Sequence, residues 1–222
     1  MRSLTDIAGM IDHTLLKADA THDQIVNLCV EAKRFGFAAV CVNSYWVPVA
    51  FRELGDDRIA ICTVAGFPLG ASSTAAKVAE AGEAVDNGAR EIDMVLNIGA
   101  LRSGDAKAVR RDIEAVVEEC HRGAAITKVI LETALLTDAQ KEEACLIAKN
   151  AGAEYVKTST GFGPGGATTA DVELMRRAVG PRIGVKASGG IRTLADFERM
   201  VAAGASRIGA SSSVQIVEAA AA

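Results

Sequence analysis

The chain has 222 residues, half of them hydrophobic but only 4% aromatic, and a net charge of −4. That is enough for one substantial core, and the core must be built from Val, Ile, Leu and Ala. The acidic balance lacks the basic face of a nucleic-acid binder, and no apolar run reaches the 18 residues of a membrane span.

Short β-rich apolar runs recur along the whole chain. A weak one covers Met10–Thr14, followed by Ala38–Asn43, Ile59–Val64, Glu91–Asn97, Thr127–Glu132, Tyr155–Thr158, Arg182–Ala187 and Ser206–Ala210. Helix-period stretches lie between them. Thr21–Phe35 starts on a good cap and stops at Gly36, and Ser73–Asp86 runs into Asn87-Gly88. Gly104–His121 carries Val109, Ile113, Val116 and Val117 on one side. Thr137–Asn150, Thr169–Val179 (stopped by Gly180-Pro181) and Thr193–Ala203 complete the series. Ala219–Ala222 reads as a featureless tail. Turns such as Asn87-Gly-Ala, Ala151-Gly-Ala and Ala203-Gly-Ala each end a helix and feed a strand. Eight strand-then-helix units with strands apolar on both faces predict a wholly parallel sheet, and at this length a closed (β/α)8 TIM barrel of the α/β class. One domain over 1–222 is expected. No GxGxxG follows the first clear strand, which disfavours a dinucleotide fold.

The five cysteines are odd in number, form no CxxC and have apolar neighbours. They read as reduced, buried thiols of a cytoplasmic protein. Residues 1–10 do not read as a signal peptide.

Barrel active sites form at the C-terminal ends of the strands. Charged residues stand out in three of the apolar runs: Asp93 in Glu-Ile-Asp-Met-Val, Lys157 in Tyr-Val-Lys-Thr-Ser, and Lys186 in Gly-Val-Lys-Ala-Ser. A lone lysine at a strand end reads as a snorkelling or salt-bridged residue. Two on neighbouring strands, with matching side-chain alternation, place both ammonium groups in one pocket. A neighbouring cation and partial burial are then expected to lower one amine's pKa, and a fall to about 7 would raise the nucleophilic fraction roughly a thousandfold. Such an amine attacks a carbonyl to form an imine, with Asp93 placed to move protons. Periodicity leaves open which lysine is the nucleophile.

The loops after the last three strands, Thr160–Gly166, Ser188–Gly190 and Gly209–Ser213, are rich in small residues. Glycine backbones here suit a phosphate, most clearly at Gly189-Gly190 and Gly209–Ser212. Thr158 and Gly161 are further candidates for contact with substrate, and Asp12 for its hydroxyls. His13 reads as structural and His22 and His121 as surface residues. No His, Cys, Asp and Glu set has metal-ligand spacing, and no Ser sits in GxSxG, so neither a metal nor a hydrolase triad is expected.

Glu154-Tyr-Val-Lys157-Thr-Ser-Thr-Gly161-Phe-Gly resembles the Schiff-base lysine motif of the deoxyribose-phosphate aldolase family. Gly184-Val-Lys186-Ala-Ser-Gly-Gly-Ile-Arg-Thr193 resembles its second-lysine motif, and Glu91-Ile-Asp93-Met-Val the strand of its proton-relay aspartate. Ile11-Asp-His-Thr-Leu-Leu16 and Gly66-Phe-Pro-Leu-Gly70 also match, so the resemblance runs from about residue 7 to 217. It implies a class I aldolase, a carbon–carbon lyase that cleaves 2-deoxy-D-ribose 5-phosphate to acetaldehyde and D-glyceraldehyde 3-phosphate in deoxynucleoside catabolism. It further implies Lys157 as nucleophile, Lys186 as its pKa-lowering neighbour, Asp93 as relay, and phosphate against Gly189, Gly190, Ser211 and Ser212, without cofactor. The expected partners are small phosphosugars and aldehydes, and a homodimer or homotetramer is expected. Two departures stand out: Phe162 replaces a lysine found in some members, and no tyrosine-bearing tail follows. The competing functions are a phosphosugar isomerase or epimerase, a class I aldolase of another donor, and a non-catalytic phosphosugar-binding barrel.

Overall fold

The computed structural model describes residues 3–55 and 57–221. In chain order it contains α1 (Leu4–Ala8), β1 (Ile11–Leu15), α2 (His22–Phe35), β2 (Ala39–Val42), α3 (Val47–Leu54), β3 (Ala60–Ala65), α4 (Thr74–Asp86), β4 (Glu91–Val95), α5 (Ile98–Arg102) and α6 (Ala106–Arg122). There follow β5 (Ile126–Ile130), α7 (Asp138–Asn150), β6 (Tyr155–Lys157), α8 (Thr169–Val179), β7 (Gly184–Ser188), α9 (Leu194–Ala202), β8 (Arg207–Ala210) and α10 (Ser213–Ala221). Single 3₁₀ turns cover Ser44–Trp46 and Thr133–Leu135. The eight strands close in sequence order into one parallel barrel, β8 pairing with β1.

Local chemistry sets these elements. Thr21 caps α2, its N–H donating to Gln24 Oε1 at 2.9 Å, and Gly36 ends the helix. The stripe Ile25, Leu28, Cys29 and Ala32 faces the barrel. Thr137 with Gln140 and Thr193 with Asp196 form capping boxes on α7 and α9. The strands are buried on both faces, so Val, Ile and Ala dominate them.

The helical expectation falls short at four places. No stretch between Asn43 and Ile59 reads as helical, yet α3 lies there with Pro48 in its first turn, where the missing N–H costs nothing. The five-residue helices α1 and α5 are too short to show a period. Ala219–Ala221 are the end of α10 rather than a featureless tail, and residue 222 lies outside the described residues. No helix among the described residues is long and apolar enough to cross a membrane.

Candidate active site

The register of the barrel aligns the site. Lys157 and Lys186 are direct Cα partners across β6 and β7, and Asp93 and Lys128 across β4 and β5. All four side chains point into the barrel, where they meet as one ion cluster. Asp93 Oδ2 accepts from both Lys157 Nζ and Lys186 Nζ at 2.7 Å, and Oδ1 accepts from Lys128 Nζ at 2.7 Å. Lys186 also sits 2.5 Å from Asp12 Oδ2. Arg207 reaches in from β8 to Asp12 Oδ1 at 2.6 Å and to Glu91 at 3.1 Å, and Lys128 lies 2.7 Å from Glu91.

Four cations therefore face three carboxylates: Lys128, Lys157, Lys186 and Arg207 against Asp12, Glu91 and Asp93. One positive charge is in excess, and losing a single proton balances the cluster. Lys186, Lys128 and Arg207 each contact at least two carboxylates, whereas Lys157, among the described residues, contacts only that of Asp93. Burial pushes the Lys186 pKa down, but Asp12 and Asp93 outweigh it and hold the ammonium well above the ordinary lysine value. Lys128 is raised in the same way, burial being overcome by Asp93, Cys62 and Glu91. Burial acts to raise Asp93, yet Lys128, Lys157 and Lys186 hold it well below the usual carboxylate range. The expected cationic neighbour of Lys157 is thus present as Lys186, but not as a bare like charge, because Asp93 stands between the two.

Lys157 is also the member of the cluster that reaches a cavity. This space, about 440 Å³, opens at the C-terminal end of the barrel. Its walls are Thr14 to Lys17 at the end of β1 and just beyond it, Thr160 to Phe162 after β6, Ser188 to Arg192 around the end of β7, and Gly209 to Ser211 around the end of β8. Gly161, Gly189, Gly190, Gly209 and Ser211 line it. Gly189 and Gly190 have φ of 91° and 80°, which turns the backbone there in a way a β-carbon would oppose. Phe162 is half-exposed and meets Phe67 edge-on, ring centroids 5.4 Å apart. A groove of about 410 Å³ at the opposite end of the barrel has no such chemistry: its Arg176 is bound to the carbonyls of Gly180, Ile183 and Gly204.

Three expected substrate contacts fall elsewhere. Asp12 is fully buried with both oxygens taken by cations; as the second residue of β1 it lies too deep, and Thr14 to Lys17 form the wall instead. Thr158 is buried between strands, its hydroxyl donating to Ser188 O and accepting from Ser188 N, both at 3.1 Å. Ser212 lies off the cavity at the start of α10, its carbonyl accepting from Ile216 N. His13 is structural, 2.7 Å from Glu31 and packed on Phe37.

Sequence reasoning missed Lys128, Glu91, Arg207 and Cys62. Cys62 donates to Asp93 Oδ1 at 3.2 Å and is paired in register with Cys41. Potential ligand atoms of Cys41, Cys62 and Asp93, and of Asp12, Cys62 and Glu91, come within 4.8 Å of one another. Ammonium and guanidinium groups already hold those carboxylates, so a divalent cation would enter against a surplus of positive charge.

A lysine pair sharing one carboxylate at the mouth of a parallel barrel is the equipment of a class I aldolase. The model of the DeoC/LacD family aldolases matches residues 7–216. A deoxyribose-phosphate aldolase of Geobacillus sp. (strain WCH70) is 58% identical, over 96% of this chain and 95% of its own. One from Shouchella clausii is also 58% identical, over 96% and 95%. A solved structure of a tetrameric deoxyribose phosphate aldolase from Aeropyrum pernix superposes with a TM-score of 0.91 at 35% identity, covering 99% of this chain and 93% of that one. The chain belongs to the DeoC/LacD aldolase family.

Proposed function

We propose that the cavity takes the open-chain form of 2-deoxy-D-ribose 5-phosphate and cleaves it reversibly through a Schiff base on Lys157. The observation that carries the reading is the position of Lys157: one carboxylate contact, shared with Lys186, at the floor of a cavity. Its neutral amine adds to the C1 aldehyde, and the carbinolamine loses water to give a protonated imine. That imine accepts the electron pair of the C2–C3 bond as the C3 hydroxyl gives up its proton, which releases D-glyceraldehyde 3-phosphate and leaves an enamine. Protonation at C2 and hydrolysis of the imine release acetaldehyde and restore the amine. Asp93, in contact with both lysines, carries protons between them and the reacting atoms, and Lys186 supplies a fixed positive charge. The backbone of Gly161, Gly189, Gly190, Gly209 and Ser211 suits the phosphate. The reaction is redox-neutral and draws on no cofactor.

We infer further that the protein works as one domain in the cytoplasm, in deoxynucleoside catabolism, as a homo-oligomer and without nucleic-acid partners. The buried unpaired cysteines, the acidic charge balance and the tetrameric relative support this.

Borohydride trapping with deoxyribose 5-phosphate, read by peptide mass spectrometry, tests the mechanism. The expected result is a stoichiometric two-carbon adduct on Lys157, absent from Lys157→Leu. An adduct on Lys186 would exchange the two roles. A folded protein with no adduct would overturn the imine and leave an isomerase or a binding protein.

A further inference from the structure

Glu132 follows β5 with φ 55° and ψ 62°, in the left-handed region that a β-carbon makes costly. Its carboxylate is buried beneath the segment after β6. Oε2 accepts from the Thr160 N–H at 3.2 Å and from the Thr160 hydroxyl, which in turn accepts from the Phe162 N–H at 3.1 Å. The chain passes so closely over the carboxylate that a β-carbon on Gly163 would lie 2.7 Å from the carboxyl carbon. Glu132 Oε1 is buried with no hydrogen-bond partner among the described residues. The barrel needs none of this, since β5 and β6 are already tied on either side by Leu131 N to Lys157 O at 2.9 Å and Thr133 N to Thr158 O at 3.0 Å. Thr160, Gly161 and Phe162 line the cavity that Lys157 enters, and Glu132 does not.

A strained backbone, a buried carboxyl group and a close crossing at a glycine thus coincide under one wall of the cavity. Strain of this kind persists only where the surroundings enforce it, and it concentrates at ligand clamps. We propose that Glu132 is a positioning residue that holds Thr160–Phe162 as a wall of the cavity, so that substrate affinity depends on a carboxylate that never touches substrate. The inference rests on the reading that deoxyribose 5-phosphate occupies this cavity.

Glu132→Gly separates this role from a structural one, because glycine adopts the same backbone without strain while the carboxylate is lost. The variant is expected to remain folded, with KM for deoxyribose 5-phosphate raised about tenfold or more and kcat changed far less. Glu132→Gln, which keeps an acceptor for Thr160, recovers most of the KM. Thr160→Val raises KM by a similar factor with Glu132 in place, and combining it with Glu132→Gly adds little. Amide hydrogen exchange at residues 160 to 162 accelerates in Glu132→Gly but not in Glu132→Gln, whether or not substrate is present. A wild-type KM in Glu132→Gly, additive effects, unchanged exchange, or a fall in kcat at constant KM would each overturn the proposal. If Glu132→Gly does not fold, Thr160→Val and Glu132→Gln carry the test. If the wild-type protein does not turn over deoxyribose 5-phosphate, the functional reading falls, while amide exchange still decides whether Glu132 orders the wall.

Discussion

Two fully buried lysines, Lys77 and Lys128, sit in clusters that look alike and are built differently. Lys77, on α4, donates to Asp112 Oδ2 of α6 at 2.5 Å and to Val95 O at 2.9 Å, while Thr74 closes the other carboxylate oxygen at 2.8 Å. One cation meets one carboxylate, and the group stitches α4, α6 and the end of β4 together. Lys128 belongs to a cluster with one more cation than carboxylate, opening to a cavity through Lys157. Burial of a charge is common to both. What separates a structural pair from a chemical one is surplus charge and access, and those follow from how many strands contribute to the cluster.

Substitution can break this comparison. The largest effect is expected from Lys128→Met, which leaves Asp93 Oδ1 to the weak Cys62 thiol donor and lets the carboxylate turn away from Lys157 and Lys186. Loss of a buried partner costs about 3–5 kcal/mol, and misplacing a reacting group by about 1 Å costs roughly a hundredfold in kcat. Urea unfolding and steady-state assay read the two separately. Lys77→Met should cost a similar amount of stability, about 3–5 kcal/mol, but leave the kcat of the folded molecules unchanged. Adding Asp112→Leu to it should restore most of the stability, because removing both charges avoids an unpaired one. Pairing Lys128→Met with Glu91→Gln should not restore kcat. If Lys77→Met lowers kcat as much as Lys128→Met does, the distinction fails.

The smallest effect is the dependence of stability on pH. Asp12 and Asp93 have native values held below the ordinary carboxylate pKa, burial being outweighed by the surrounding cations. Their stabilisation is complete above about pH 4–5 and is lost as pH falls through the native values. Lys186 and Lys128 are shifted the other way, so their contribution is complete below about pH 10 and is lost only above it. Tm should therefore stay level between about pH 5 and 9 and fall on the acid side. In Lys128→Met the Asp93 value rises, and the acid limb of the kcat profile should move to higher pH. Differential scanning calorimetry and a pH–rate profile check the two expectations.

Much of this arrangement was legible in the chain, for reasons that also mark where legibility stops. Asp93, Lys157 and Lys186 stand out as charges inside otherwise apolar runs, the two lysines late in theirs, and side-chain alternation alone predicts that the two lysines face each other. Lys128 is just as buried and Arg207 less so, but Lys128 lies second in the run Thr127–Glu132 and Arg207 opens β8, so neither stands out in the sequence. Recognising Lys128 needs the register that sets it opposite Asp93, and register is a property of paired strands. Asp12 was placed too near the substrate because the sequence gives its strand but not its depth. Glu132 read as the last residue of a strand; its left-handed backbone is enforced by a loop nearly thirty residues downstream. The helices α3 and α5 escaped because eight and five residues are too few to display a period.

The hydrogen bond between Asp12 and Arg207 spans 195 positions of the chain. It joins the first strand to the last, across the seam where the barrel closes. Until β8 is in place, Asp12 and Glu91 lack Arg207, and the interior holds charges that only the complete ring compensates. Partial barrels are penalised electrostatically as well as by their open sheet edges. The ion cluster under the cavity thus also acts as a check on assembly, favouring all-or-none closure over a stable fragment, and a chain stopped before Arg207 should populate no native-like state.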